Sequence, residues 1–156
     1  MIAIIIGSKS DINYVEEGVN FLKNFEIPYE LKILSAHRTP EELKEYVLEL
    51  EKRDFQVIIA CAGMAAHLPG VIASYSNLPV IGVPLPTSSL QGLDALLAIV
   101  QMPGGIPVAT MAIGKAGVIN ACVYALRILS LKYPTIKEKL EKYKKEMKEK
   151  ILKENL

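Results

Sequence analysis

The chain has 156 residues, enough for a single domain (1–156) that buries about 70% of its extended-chain surface. Hydrophobic residues make up 51% and charged residues 22%, and the formal net charge is +1. That balance provides no bulk field for nucleic acid or an anionic membrane, and no run nears the ~18 apolar residues of a span.

The opening run IAIII (2–6) is short, β-branched and continuous, as in a strand buried on both faces. It lacks the basic flank of a signal peptide, so a cytoplasmic protein is expected. GSKSD (7–11) then forms a loop, and apolar positions 12, 15, 19, 21 and 22 mark a helix. YELKILS (29–35) predicts a second strand. In the following TPEELKEYVLELEKR, Thr39, Pro40 and Glu42 spell a capping box with proline at the first helical position.

QVIIACA (56–62) predicts a third strand. AAHLPGVIASYS predicts a short helix interrupted near Pro69. LPVIGVP (78–84) predicts a fourth strand, and GLDALLAIVQM (92–102), apolar on nearly every side, a buried helix. GIPVATMAI (105–113) completes five strands, and AGVINACVYALRIL adds a helix rich in small residues. The tail, about 134–154, carries a narrow apolar stripe at 136, 140, 143, 147 and 151, after a second capping box from Thr135 to Glu138. Its alternatives are a surface helix laced by pairs such as Glu138–Lys142 and a contact between subunits, with the second favoured. Cys61 and Cys122 sit in apolar stretches and are read as reduced core thiols.

Alternating strands and helices predict a three-layer α/β/α fold. Its sheet would be flavodoxin-like, doubly wound and parallel, in the order 2-1-3-4-5, with an extra C-terminal helix. Ligands in such sheets bind beyond the carboxyl ends of the strands. Four loops meet there.

The first offers Ser8, Ser10 and Asp11 at a helix N-terminus; they suit a phosphate and a ribose diol, or Ser10 or Asp11 merely caps the helix. The second offers Ser35, His37 and Arg38. An arginine grips phosphate bidentately, and a histidine moves protons near neutral pH; the plain alternative is a surface pair with Arg38 bridging to Glu41 or Glu42. The third holds His67 among small residues that let backbone approach a flat ligand, as a structural ring or a catalyst, with the first favoured. The fourth is PLPTSSLQG. No Walker loop, dinucleotide fingerprint, metal-ligand spacing or nucleophile elbow occurs, so no cofactor and no metal are expected.

GSKSD, SAHRTP, AAHLPG, VQMPGGIPV and AIGKAG, in this order and spacing over about residues 2–131, resemble the N5-carboxyaminoimidazole ribonucleotide mutases of purine biosynthesis. The resemblance implies an isomerase acting on a ribonucleotide monophosphate. It would move a carboxylate from the exocyclic N5 to ring carbon C4 by decarboxylation and recarboxylation. It implies that Ser10, Ser35 and Arg38 hold the phosphate, with Ser8 beside them, and that Asp11 takes the ribose hydroxyls. Ala62, Gly63, His67 and Leu68 would enclose the base and carboxylate, and His37 would carry the proton.

It further implies a homo-octamer, and a functional link to the ATP-dependent synthetase that makes the substrate. A sister class that carboxylates aminoimidazole ribonucleotide with free CO₂ is less similar at Arg38 and at AAHLPG. Remoter alternatives are a non-catalytic nucleotide-sensing domain and a flavin carrier. Cys61 and Met64 depart from the pattern, since glycine is common in the family at both positions.

Overall fold

A computed structural model describes residues 1–154. Five strands form one parallel sheet in the order β2-β1-β3-β4-β5. They are β1 (Ile2–Ile6), β2 (Tyr29–Ile33), β3 (Val57–Gly63), β4 (Val80–Leu85) and β5 (Ala109–Thr110). The helices are α1 (Ile12–Asn24), α2 (Pro40–Leu50), α3 (Leu68–Tyr75), α4 (Leu93–Val100), α5 (Lys115–Ser130) and α6 (Pro134–Lys153). The expected fold class and strand order both stand.

The period of two along the strands builds two cores. Ile2, Ile4 and Ile6 face one side with Val57, Ile59, Cys61, Ile81 and Val83, where α1 and α5 lie over them. Ala3 and Ile5 face the other side with Ile58, Ala60 and Ala62, beneath α2, α3 and α4. Chains buried on both faces need unbroken apolar strands, which is why β1, β3 and β4 read as continuous hydrophobic runs. Gly18 allows the α1–α5 contact, because a Cβ there would lie 2.5 Å from Val118 Cγ1.

The structure corrects several expectations. β5 has two residues, not nine: Pro107 has no N–H to give, and the pairing covers only Ile81–Ala109 and Gly82–Thr110. Pro69 does not interrupt α3; it stands in the first turn, where a missing N–H costs nothing. Neither capping box forms. Thr39 turns its hydroxyl back to Ser35, and α6 starts at Pro134 with Tyr133 at the cap and Thr135 already in the first turn. Glu138–Lys142 is not among the ion pairs; Lys142–Glu146 and Lys145–Glu149 are, at 3.8 and 3.9 Å.

The largest departure is α4. Only Ala95 and Ile99 are buried, while Leu93, Leu97 and Val100 are 53%, 52% and 47% exposed. A small sheet covers one face of a helix, and here the opposite face is apolar as well. The stripe of α6 is used over its first half only. Ile136 and Leu140 are buried, Tyr143 meets the rings of Phe21 and Phe25 edge-on, and Met147 and Ile151 are exposed. Lys139 fixes that half by donating to Phe25 O and pairing with Glu26.

Candidate active site

β1 pairs with β2 on one side and β3 on the other, so the chain reverses its winding at β1. The loops leaving these strands must diverge there, and a crevice opens between them. It is a cleft of about 490 Å³, within the ~300–1,000 Å³ usual for small-molecule sites. All ten residues singled out in the sequence line it: Ser8, Ser10, Asp11, Ser35, His37, Arg38, Ala62, Gly63, His67 and Leu68.

The first loop is a tight 3-10 turn, Lys9–Asp11, capped by Ser8, whose hydroxyl accepts from Ser10 N and from Ser10 Oγ, the latter at 2.9 Å. Asp11 makes no side-chain cap on α1; nor does Ser10, which lies inside the turn. The capping alternative is therefore set aside for both. Asp11 is 6% exposed, the one buried charged side chain among the described residues. Burial raises its carboxyl pKa; the Ser10 hydroxyl, the backbone at Ser8 and Gly7, and the Arg38 charge pull it partly back.

The second loop is held by its own polar atoms. Thr39 Oγ1 accepts from Ser35 N at 2.8 Å and donates to Ser35 O. Ser35 Oγ accepts from the backbone N–H and the Nε of Arg38. Arg38 Nη2 reaches across to donate to Gly7 O at 2.7 Å, tying the β2 loop to the β1 loop. It pairs with neither Glu41 nor Glu42, and with no other carboxylate among the described residues. A fixed cation in no salt bridge, with Asp11 the carboxylate that feels its charge, and aimed by two hydrogen bonds, suits an anionic ligand group.

His37 lies beside it. His37 Nε2 and His67 Nδ1 are 2.9 Å apart, with the rings near perpendicular at 83°. The two histidines of the chain, 30 residues apart in sequence, thus face one another across the cleft. One proton fits between them, so one ring donates and the other accepts.

The third loop packs tightly and is strained. A Cβ on Gly63 would fall 1.7 Å from Thr87 Oγ1, so only glycine fits there. Met64 follows with φ +54°, a left-handed conformation costing a side-chain-bearing residue about 1–2 kcal/mol. Glycine would take this conformation without that cost. Ala66 N donates to Met64 O and His67 N to Ala65 O, both at 2.8 Å, closing two successive tight turns.

Cys61 ends inside the core, fully buried, and burial pushes its thiol well above the usual range; Cys122 is likewise pushed up to about 12. Neither is poised as a nucleophile. Gly7, Ala36, Met64, Ala65 and Thr87 also line the cleft, outside the ten candidate residues. The only sequence signal for Thr87 is its place in PLPTSSLQG, and it touches the site through packing on Gly63, which no motif reveals.

The sequence profile of AIR carboxylase matches residues 1–150. The chain belongs to the AIR carboxylase family. A relative from Pyrococcus horikoshii named N5-carboxyaminoimidazole ribonucleotide mutase is 57% identical over 151 residues, 97% of this chain and 84% of that protein. One of the same name from Pseudomonas aeruginosa is 49% identical over 97% of this chain and 93% of its own length. A crystal structure of Treponema denticola PurE matches with a TM-score of 0.89 at 30% identity, covering 99% of this chain and 95% of that one. No helix among the described residues is long and apolar enough to cross a membrane.

Proposed function

We propose that this chain is an N5-carboxyaminoimidazole ribonucleotide mutase. What carries the reading is the meeting of an unpaired Arg38 guanidinium and the His37 ring in one cleft of an AIR carboxylase-family fold. Curated relatives across bacteria and archaea that bear this name support it over nearly the full length.

The phosphate seats on Arg38 with the hydroxyls of Ser10 and Ser35, next to Ser8. Asp11 accepts from the ribose hydroxyls; a buried acceptor that must give up water is compensated by such donors. The imidazole then lies between His37 and the loop of Ala62, Gly63, His67 and Leu68. The carbamate C–N bond breaks, its electrons return to N5, N5 takes a proton, and CO₂ is released beside the ring. C4 attacks that CO₂ and then loses its own proton, for which His37 is the base. No proton, electron or carbon is gained or lost overall, and the step needs no oxidant.

Phosphate binding is remote from the bonds that change, so its energy serves to position the ring. Holding CO₂ beside C4 makes the second step effectively unimolecular, which outweighs the ~10²- to 10⁴-fold expected from acid/base help.

The exposed face of α4 supports self-association: Leu93, Leu97 and Val100 lie on one side of the helix as large exposed apolar side chains, the kind of surface a monomer seldom leaves wet. A homo-octamer working in the cytoplasm is the assembly proposed. Its substrate is an acid-labile carbamate, so it works next to an ATP-dependent carboxylating synthetase as a functional partner.

Proton NMR of the purified protein with the carbamate substrate and no added bicarbonate tests this. The C4–H resonance should vanish as product forms. In His37→Asn the rate should fall at least ~10²-fold with the ligand still bound. Near-normal turnover in that variant would remove His37 from its role. Conversion only from aminoimidazole ribonucleotide plus bicarbonate would make the protein a carboxylase instead.

A further inference from the structure

Four non-glycine residues among those described take a positive φ: Glu26, Asp54, Met64 and Gln91. Three are polar, and Glu26 and Asp54 lie just past helical segments, where such a turn ends a helix. Met64 is the apolar exception, and of the four it alone lines the cleft, 61% exposed. A long side chain is kept where glycine would sit free of strain, on a loop whose neighbours are fixed. Gly63 is clamped by Thr87, and the amides of Ala66 and His67 are tied back to Met64 O and Ala65 O. A strained residue at a site calls for a function that the strain serves.

Resting on the mutase reading above, we propose that Met64 determines how the site partitions CO₂, closing over the cleft so that the gas is captured by C4 rather than lost. The chemistry suits it. CO₂ is small and apolar, and the loop wall beneath is already apolar, with Ala62 and Leu68 buried. Methionine is unbranched and has a polarizable thioether, so it can follow the ring as the ligand enters and still cover it. The rigid backbone supplies a fixed hinge for that motion. Glycine at 64 would leave the turn intact and take the cover away, whereas leucine would restore a cover of similar bulk.

The test uses unlabelled carbamate substrate in ¹³C-bicarbonate with carbonic anhydrase, and reads ¹³C in the product carboxylate at the first few per cent of turnover. Wild type should pass on its own unlabelled CO₂. Met64→Gly, which folds readily because glycine takes this φ without strain, should incorporate at least ~5-fold more label per turnover, since escape now competes with capture. Met64→Leu should return incorporation to near the wild-type level.

Equal labelling in wild type and Met64→Gly overturns the proposal, as does failure of leucine to restore retention, or a changed sedimentation with unchanged label. Wild type that leaves the substrate unconverted overturns the mutase reading and this proposal with it. Wild type that converts it with fully labelled product overturns the proposal while the enzyme remains.

Discussion

Asp11 shows how a residue of a candidate site can cost the fold that holds it. Its carboxylate is buried beside the Ser10 hydroxyl with water largely excluded, and burial outweighs the groups that stabilise its charge. With its folded pKa raised above the unfolded value, the folded state holds its proton longer. Stability is therefore fully present below the ordinary carboxylate range and declines as pH rises through the window between the two values. Asp11→Asn should melt higher than wild type at neutral pH, the gap closing as pH falls below that range, while nucleotide affinity drops. An equal or lower melting temperature at pH 7 in calorimetry would contradict this account.

The residues lining the cleft were largely readable from the sequence, because His37, Arg38, Ser35 and the GSKSD loop stand where apolar strands end. The His37–His67 contact was not readable: it depends on the loops after β2 and β3 meeting across β1, which no local pattern encodes.

Element by element, strands and helices were legible where burial decides them and blurred where a single polar atom does. β1, β3 and β4 advertise themselves through continuous apolar runs. The capping signature at Thr39 misled because the same hydroxyl had a better partner in Ser35 N and served the loop instead of the helix. α4 misled for a different reason. Hydrophobicity all round implies burial all round, yet one chain supplies cover for Ala95 and Ile99 only. The proposed assembly would give that outer face a second copy to pack against. Leu93, Leu97 and Val100 lie at spacings of four and three, one face of the helix. Leu97→Glu should therefore lower the sedimentation coefficient in ultracentrifugation while the far-ultraviolet dichroism of the chain is kept. Unchanged sedimentation would separate α4 from assembly.

At the scale of the molecule, the parallel order β2-β1-β3-β4-β5 gathers loops from distant parts of the sequence at one rim. Residues 7 and 38 touch through the Arg38–Gly7 hydrogen bond, and residues 63 and 87 through the packing of Gly63 on Thr87. In a chain with net charge +1, that gathering puts the Arg38 cation and the loop hydroxyls in one cleft by local geometry rather than by bulk charge. The central claim is that a guanidinium holds the sugar phosphate so that the neighbouring imidazole meets the reacting carbon. A crystal structure of the His37→Asn protein with bound carboxyaminoimidazole ribonucleotide tests it most directly. The account predicts the phosphate on Arg38 and Ser10, and C4 within about 3–4 Å of the residue 37 side chain, directly or through one water. A phosphate bound elsewhere, or a heterocycle turned away from residue 37, would contradict it.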